Sequence, residues 1–408
     1  MKTILTRLSF FILLITSYIP AQAQYSWKLT QTVPAPGRHH SSVFAIDENF
    51  YMICGTNTDE SQQYKDMWKY IPLEDRWLQM KDFPGTPRSY AATFVINGKG
   101  YLTVGVDNNG TTLTDLWEYT PIDDIWVKKA DFPGEGRAHP AFFTLNDEGY
   151  VGCGDGESGD YKDFYKYSPT TNKWVAVTSF AGPAHHHPAF FTINNKAYLC
   201  TGHDRAGNQV LKTNYEYNPI TDAWTKKADF PGKARVGGIG FAINNKGFIG
   251  GGFDEVGNGE FFRDFYTYNP LTDTWSNGVP LFPDLNGTFA AVTTVIGNVA
   301  YAGTGMDSLY VSTNKWYSFR DESISVSEQS VETPLLNIIT AKGYIRLESN
   351  EQFNSLVIVN QLGQTIVHSS INASNSTEIS THSWAKGIYC ARYIIGTKVK
   401  NKSFVIGE

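Results

Sequence analysis

Cysteine is scarce, with only Cys54, Cys153, Cys200 and Cys390 in 408 residues, so no disulfide framework holds this fold together and its stability must come from packed cores. Charge of either sign is modest. The net value of -6, with no basic stripe anywhere, excludes non-specific nucleic-acid binding. Long apolar runs are missing as well: after the N-terminus no stretch reaches the roughly 20 apolar residues that a membrane-spanning helix needs. Catalytic signatures are equally sparse. Gly250-Gly251-Gly252 is not followed by the Lys of a phosphate loop, and neither Asp107-Asn108-Asn109-Gly110 nor Asp155-Gly156-Glu157 continues with the ligand spacing of a calcium loop. No GxSxG or HExxH occurs.

What the chain has in abundance is aromatic residues, 14% of the total, and they recur. Tryptophans at Trp27, Trp77, Trp126, Trp174, Trp224, Trp275 and Trp316 are separated by 50, 49, 48, 50, 51 and 41 residues, and such a period marks a repeated supersecondary unit. From Phe83 to Trp126 the unit reads FPGTPRSYAATFVINGKGYLTVGVDNNGTTLTDLWEYTPIDDIW. It contains short apolar strands, a tight Asn97-Gly98 turn and a polar loop, the pattern of an antiparallel four-stranded sheet. The phrase resembles the kelch repeat, and the resemblance implies an all-β, six-bladed β-propeller over residues 24–320, each blade burying its aromatics against the next. Six inner triplets face seven Trp-led outer segments. The expected consequence is ring closure, with the N-terminal segment from Trp27 completing the last blade beside or instead of Trp316 to Arg320.

The two ends read differently. Lys2 and Arg7, the apolar run Leu8 to Ile15 and the small-residue site Ala21-Gln22-Ala23 form a secretory signal peptide over residues 1–23, cleaved near Ala23. A Ser- and Glu-rich linker is expected at 321–333. Residues 334–408 return to short apolar runs, with Leu362-Gly363-Gln364, Gly387-Ile388-Tyr389 and a Lys-containing final strand before Gly407-Glu408. They resemble the type A C-terminal sorting domain of type IX secretion cargo from Bacteroidetes-like bacteria. That resemblance implies a small β-sandwich-like domain, engagement of the type IX machinery, and secretion or display at the outer-membrane surface, with this domain removed or retained.

Hairpin geometry places the start of the first strand and the end of the second on one rim. One ring of candidates there comprises Arg38, Arg88, Arg137, His185 and Arg235, with His40, Tyr90, His139 and His187 two residues further on. The second, after each repeat glycine, comprises Asn57, Asp107, Asp155, Asp204, Asp254 and Asp307. Residues repeated in every blade serve inter-blade links more readily than ligands, so departures from the repeat are the better site candidates. The foremost is Ala184-His185-His186-His187 in the fourth unit. His139 and His187 with Asp155 or Asp204 offer an N,O donor set for zinc or copper, yet wet-rim imidazoles more often hydrogen-bond or stack, so neither metal nor cofactor is expected. Cys153 and Cys200 are read either as a cross-blade disulfide or as buried thiols.

The expected activity is binding of a glycan, peptide or protein on the loop-bearing rim by a monomer, leaning away from an enzyme. The alternative is a carbohydrate-active enzyme. A kelch-type sugar epimerase or mutarotase would use Arg88, Arg137 or Arg235 with Asp107, Asp204 or Asp254 for anomeric proton transfer, and a copper oxidase would need a Tyr–Cys pair that no motif here identifies. A purely structural surface module is the third reading.

Overall fold

The computed structural model describes residues 24–322, 336–341, 343–360, 365–395 and 398–406. The signal-peptide segment, most of the linker, Leu362-Gly363-Gln364 and Gly407-Glu408 lie outside them.

Residues 24–322 form six four-stranded antiparallel sheets. The second blade shows how the repeat phrase folds. Ala92–Ile96 turns back into Lys99–Thr103, followed by Leu116–Thr120 and Ile125–Lys128. Asn97 and Gly98 have φ of 51° and 72°, the left-handed pair that a two-residue hairpin with native strand twist requires. In the next three blades the same turn is Asn146-Asp147, Asn194-Asn195 and Asn244-Asn245, again with positive φ at both residues.

The second half of the phrase, Y-x-P-x-x-[DN]-x-W or its close variants, is an inter-blade latch. In blade two the Tyr119 hydroxyl donates to Asp124 (2.9 Å), whose other carboxylate oxygen accepts the Lys81 backbone N–H of blade one. Tyr217 and Asp222 reach Thr178 in the same way, and Tyr268 and Asp273 reach Ala228. The outer tryptophan adds a bond of its own: Trp174 Nε1 donates to Ala130 O and Trp275 Nε1 to Ala228 O, both at 2.9 Å. Between the latches lie apolar layers, such as Phe44, Tyr51, Phe83, Leu102, Tyr119 and Trp126 between blades one and two.

The N-terminal strand Tyr25–Leu29 closes the ring by pairing with Trp316–Asp321, so the last blade runs Val292–Ile296, Val299–Gly303, Trp316–Asp321, Tyr25–Leu29. Closure is therefore beside the Trp316 segment. The expectation that Trp316 leads an outer strand is corrected: it opens the third strand, at the position of Leu116, and its indole is 0% exposed against Phe50 and Trp77. Trp27 is the outer tryptophan of this blade and packs on Phe241, Phe265, Phe282 and Phe319.

The C-terminal residues form one five-stranded antiparallel sheet. Its long strand Tyr344–Asn360 shifts register between Glu348 and Ser355, pairing first with Leu336–Ala341 and then with Gly387–Ile395. The two halves share one core, Ile345 and Leu347 with Leu356, Ile358, Tyr389, Tyr393 and Phe404, which accounts for the sandwich-like pattern in the sequence.

The disulfide alternative for Cys153 and Cys200 is also corrected, since both thiols are unpaired. Cys153 packs in the layer between blades three and four, near His185, whereas Cys200 packs between blades four and five with Ile249 and Tyr268. Burial raises both thiols above their ordinary pKa, so they act as inert apolar fillers.

Candidate functional site

The repeated arginines do not line a ligand face, and their place among the rim candidates is corrected. Arg38, Arg88, Arg137 and Arg235 are 0% exposed. Each forks onto the aspartate that precedes its blade's third strand: Asp66, Asp115, Asp163 and Asp264. Each also donates to the carbonyl before the repeat glycine, at Cys54, Val104, Cys153 and Gly251, where φ is positive in every case. Their work is to pin a kinked strand end. In blade four both partners are replaced together, by His185 and Thr213, and His185 donates to the Pro183 carbonyl instead. Burial lowers the His185 pKa to about 4, so a neutral imidazole fills the guanidinium's place.

The post-glycine carboxylates divide by register. Asp107 accepts the N–H groups of Asn109 and Thr111, Asp204 that of Gly207, and Asp254 that of Gly257, so these three close their own loops and are likewise corrected as ligand groups. Asp155 stands one residue nearer its glycine. Its backbone pairs with Ala138, at the level where the other blades carry Thr56, Val106, His203, Phe253 and Met306. From there its side chain turns to the axis.

At the axis lies a ring of six left-handed residues: His40, Tyr90, His139, His187, Gly237 and Ala290, with φ between 49° and 60°. Backbone bonds run from blade to blade around it. His40 N donates to Ala290 O, Tyr90 N to His40 O, His187 N to His139 O, Gly237 N to His187 O and Ala290 N to Gly237 O, at 3.0–3.3 Å. Such strained φ values persist where the surroundings over-determine them, here through the blade-to-blade backbone bonds. The four side chains crowd together. Tyr90 packs on His40 and His139 with ring centroids 4.1 and 4.3 Å apart, and His139 on His187 at 4.2 Å. Blade five contributes no side chain, and Phe289 fills the gap, since a Cβ at Gly237 would stand 2.3 Å from its ring. On the strand side the ring closes a cavity of about 430 Å³ walled by Ala45, Val95, Phe142, Phe190, Ala242 and Val295.

On the loop side the mouth has two halves. The polar half comes from blades one, three and four, with Glu255 added from blade five. Asp155 accepts from His139 Nδ1 (2.7 Å) and from the Arg205 guanidinium (2.9 Å). Asp160 accepts from His186 Nδ1 (2.9 Å) and from the Arg205 backbone N–H (2.7 Å). Glu255 lies 2.8 Å from His203 Nδ1 without hydrogen-bond alignment, and Glu60 lies 4.0 Å from His39 Nε2. The apolar half comes from blades five and six. Phe289 packs on His187, Phe253 and Phe261, and Phe261 on the exposed Tyr310.

Electrostatics follow from this enclosure. Burial would raise the Asp155 carboxyl, but hydrogen bonds from His139 and Arg205 outweigh it and hold the group well below the ordinary carboxylate range. Burial, reinforced by the neighbouring imidazoles, pushes His40 and His187 well below the usual histidine value. Burial and the nearby Glu60 raise Tyr90, so its hydroxyl stays protonated. The mouth thus presents anionic Asp155, neutral His40 and His187, and a donor phenol.

His40, Tyr90, His139, His187 and Asp155 are the sequence candidates that the structure brings together. His186 belongs to the Ala184-His185-His186-His187 departure singled out in the sequence, whereas His39, Asp160, His203, Arg205, Glu60 and Glu255 were missed, although His39-His40 and the stretch Gly202-His203-Asp204-Arg205 also depart from the repeat.

Fold and tail together define the class: an exported six-bladed kelch-type propeller carrying a sorting tail. Residues 341–407 match the family described as "Secretion system C-terminal sorting domain", which indicates delivery by the type IX route outside the cell or to its surface. The propeller has the fold of the solved structure titled "Structure of YjhT", with a TM-score of 0.60 and 17% identity over 70% of this chain and 95% of that one. N-acetylneuraminate epimerases of Shigella flexneri and Escherichia coli K12 are 29% identical over 86 residues, 20% of this chain. The chain spans about a quarter of the length of those relatives, 23%.

Proposed function

We propose that the exported propeller, residues 24–320, binds a carbohydrate at its loop-side mouth, while residues 334–408 serve export. The observation that supports this reading is the division of the mouth. A pyranose has apolar C–H faces and an equatorial belt of hydroxyls, so it needs an aromatic platform beside fixed hydrogen-bonding groups. Phe253, Phe261, Phe289 and Tyr310 provide the platform, and Asp155, Asp160 and Arg205 provide the polar groups. The tie between Arg205 and the two aspartates keeps them in place before a ligand arrives, which lowers the ordering cost of binding.

The test is calorimetric titration of the purified protein with neutral and acidic monosaccharides and short glycans. Saturable binding weakened about 10-fold or more in both Phe289→Ala and Asp155→Asn, at unchanged melting temperature, supports the reading; a hydrogen bond to a charged group contributes about 1.5–3 kcal/mol. Binding that survives both changes rejects it.

A second reading is interconversion of sugar anomers. It is favoured by the similarity to N-acetylneuraminate epimerases and by an arginine–carboxylate pair at the mouth, Arg205 with Asp155, in place of the repeat residues expected from the sequence. Exchange spectroscopy on N-acetylneuraminate and neutral sugars tests it. Acceleration abolished in Arg205→Ala supports turnover, and equal rates with and without protein leave binding alone.

A further inference from the structure

The axial histidines form a donor set that sugar binding does not use. His40, His139 and His187 come from blades one, three and four, and one ring nitrogen from each lies within 4.8 Å of the other two. His40 Nε2 and His187 Nε2 are 3.1 Å apart. Two ligands on a tetrahedral zinc with Zn–N bonds of about 2.0–2.1 Å are separated by about 3.3 Å, so this spacing needs little adjustment to admit an ion.

The outer nitrogens are already engaged. His139 Nδ1 is held by Asp155, the carboxylate–imidazole arrangement that orients a ligating histidine and raises its basicity. His40 Nδ1 contacts His39 Nδ1 at 2.5 Å. Both contacts leave Nε2 as the ligand atom. The rings cannot swing away, because Tyr90 and Phe289 pack against them and their backbones are fixed in the left-handed ring.

We propose that His40, His139 and His187 form a three-imidazole site on the propeller axis for a divalent first-row transition ion, zinc or copper. All-nitrogen donors suit these ions and not magnesium or calcium, which take oxygen ligands. Of the ring's other members, Gly237 and Ala290 bring no donor atom and Tyr90 packs its ring on His40 and His139, so among the described residues the three imidazoles form the donor set and the remaining position is left to water or a ligand group, as in catalytic rather than structural sites. The two other clusters, His186 with His203 and Glu255 and His39 with His40 and Glu60, are weaker candidates. His186 is committed to Asp160, and each cluster relies on one exposed carboxylate. The proposal goes beyond the carbohydrate reading and stands without it.

The experiment starts from metal content of the full chain as isolated, which distinguishes zinc from copper. The chelator-stripped protein is then titrated with Zn2+, Cu2+ and, as a control, Mg2+. One equivalent of Zn2+ or Cu2+ and no Mg2+ is expected. Affinity should fall at least about 10-fold in His139→Ala and His187→Ala, and about 10–100-fold in Asp155→Asn, where the positioning carboxylate is lost. Glu255→Gln should leave both stoichiometry and affinity unchanged. The electron paramagnetic resonance spectrum of the Cu2+ form of the unaltered protein should show imidazole nitrogen couplings, a readout independent of whether any variant folds. Failure to bind either ion, oxygen-only coupling, or binding lost in Glu255→Gln and retained in His187→Ala would overturn the site.

Discussion

Arg88 holds Asp115 through two parallel N–H···O bonds of 2.6 and 2.9 Å while its own side chain is 0% exposed. Among the described residues this carboxylate is the only counter-charge the guanidinium contacts, and the Val104 carbonyl accepts from the same Arg88 nitrogen. Removing the acid strands a buried cation, a change that costs about 3–5 kcal/mol. Asp115→Ala should therefore lower the melting temperature by roughly 6–20 °C, at about 2–4 °C per kcal/mol for a unit of this size. Differential scanning calorimetry checks it, and a loss of under about 1 kcal/mol would show that the pair is not a blade anchor.

Blade four tests the same logic in reverse. The backbone bond from Thr201 N to Thr213 O matches those from Cys54 to Asp66 and from Cys153 to Asp163, so Thr213 occupies the aspartate position. His185→Arg alone buries an unpaired guanidinium beside Cys153 and should destabilise. Adding Thr213→Asp should recover most of the loss, giving a coupling of about 1–3 kcal/mol in a double-mutant cycle. Additive effects would mean that blade four has repacked beyond the geometry shared by the other blades.

Most of the fold is legible in the residues because each blade solves the same problem with the same groups. The outer tryptophan, the tyrosine and the turn Asp or Asn recur at one spacing in blades one to five, where the tyrosine hydroxyl holds the turn side chain that reaches back to the preceding blade. Trp316 misled because an indole was counted by type. It is not preceded by the latch phrase, and Phe319 stands where Tyr119 would supply a hydroxyl. Register rather than residue identity distinguishes it from Trp27.

The site was legible only in part. His40, Tyr90, His139 and His187 stood out as positions where the repeat changes. Asp155 was grouped with Asp107 and Asp254 because all follow a glycine closely, yet one residue of register separates a loop-closing carboxylate from one that reaches the axis. Arg205, Asp160 and His186 reach the same place from loops of different blades, and their convergence exists only once the ring is closed.

Ring closure depends on five residues contributed from the far end of the propeller. Tyr25–Leu29 pairs along its whole length with Trp316–Asp321, and without it the last blade exposes an unpaired edge and the aromatic cluster around Trp27. Trp27→Ala should cost about 3–5 kcal/mol, and deletion through Leu29 should abolish the single cooperative transition. Chemical denaturation followed by tryptophan fluorescence distinguishes the outcomes; a deletion that still unfolds cooperatively at the original midpoint would mean that three strands suffice.

Acid sensitivity follows from carboxylates held ionised between blade strands. Burial raises the Glu118 carboxyl, but hydrogen bonds from Lys99 and Tyr101 and the Lys129 charge outweigh it, so the folded value lies below the ordinary one. Glu216 is held in the same way by Lys196 and Tyr198. Below the unfolded glutamate value of about 4.3 the unfolded chain binds more protons than the folded one, so stability falls as pH falls. The contribution is complete above that value and is lost as the pH drops through the folded pKa. Paired Glu118→Gln and Glu216→Gln substitutions should lower the melting temperature at pH 7 and flatten its decline below about pH 4.3. Melting curves at half-unit pH intervals decide the matter: an acid limb as steep as that of the unaltered protein would place the responsible carboxylates elsewhere, with Asp115 and Asp155 next in line.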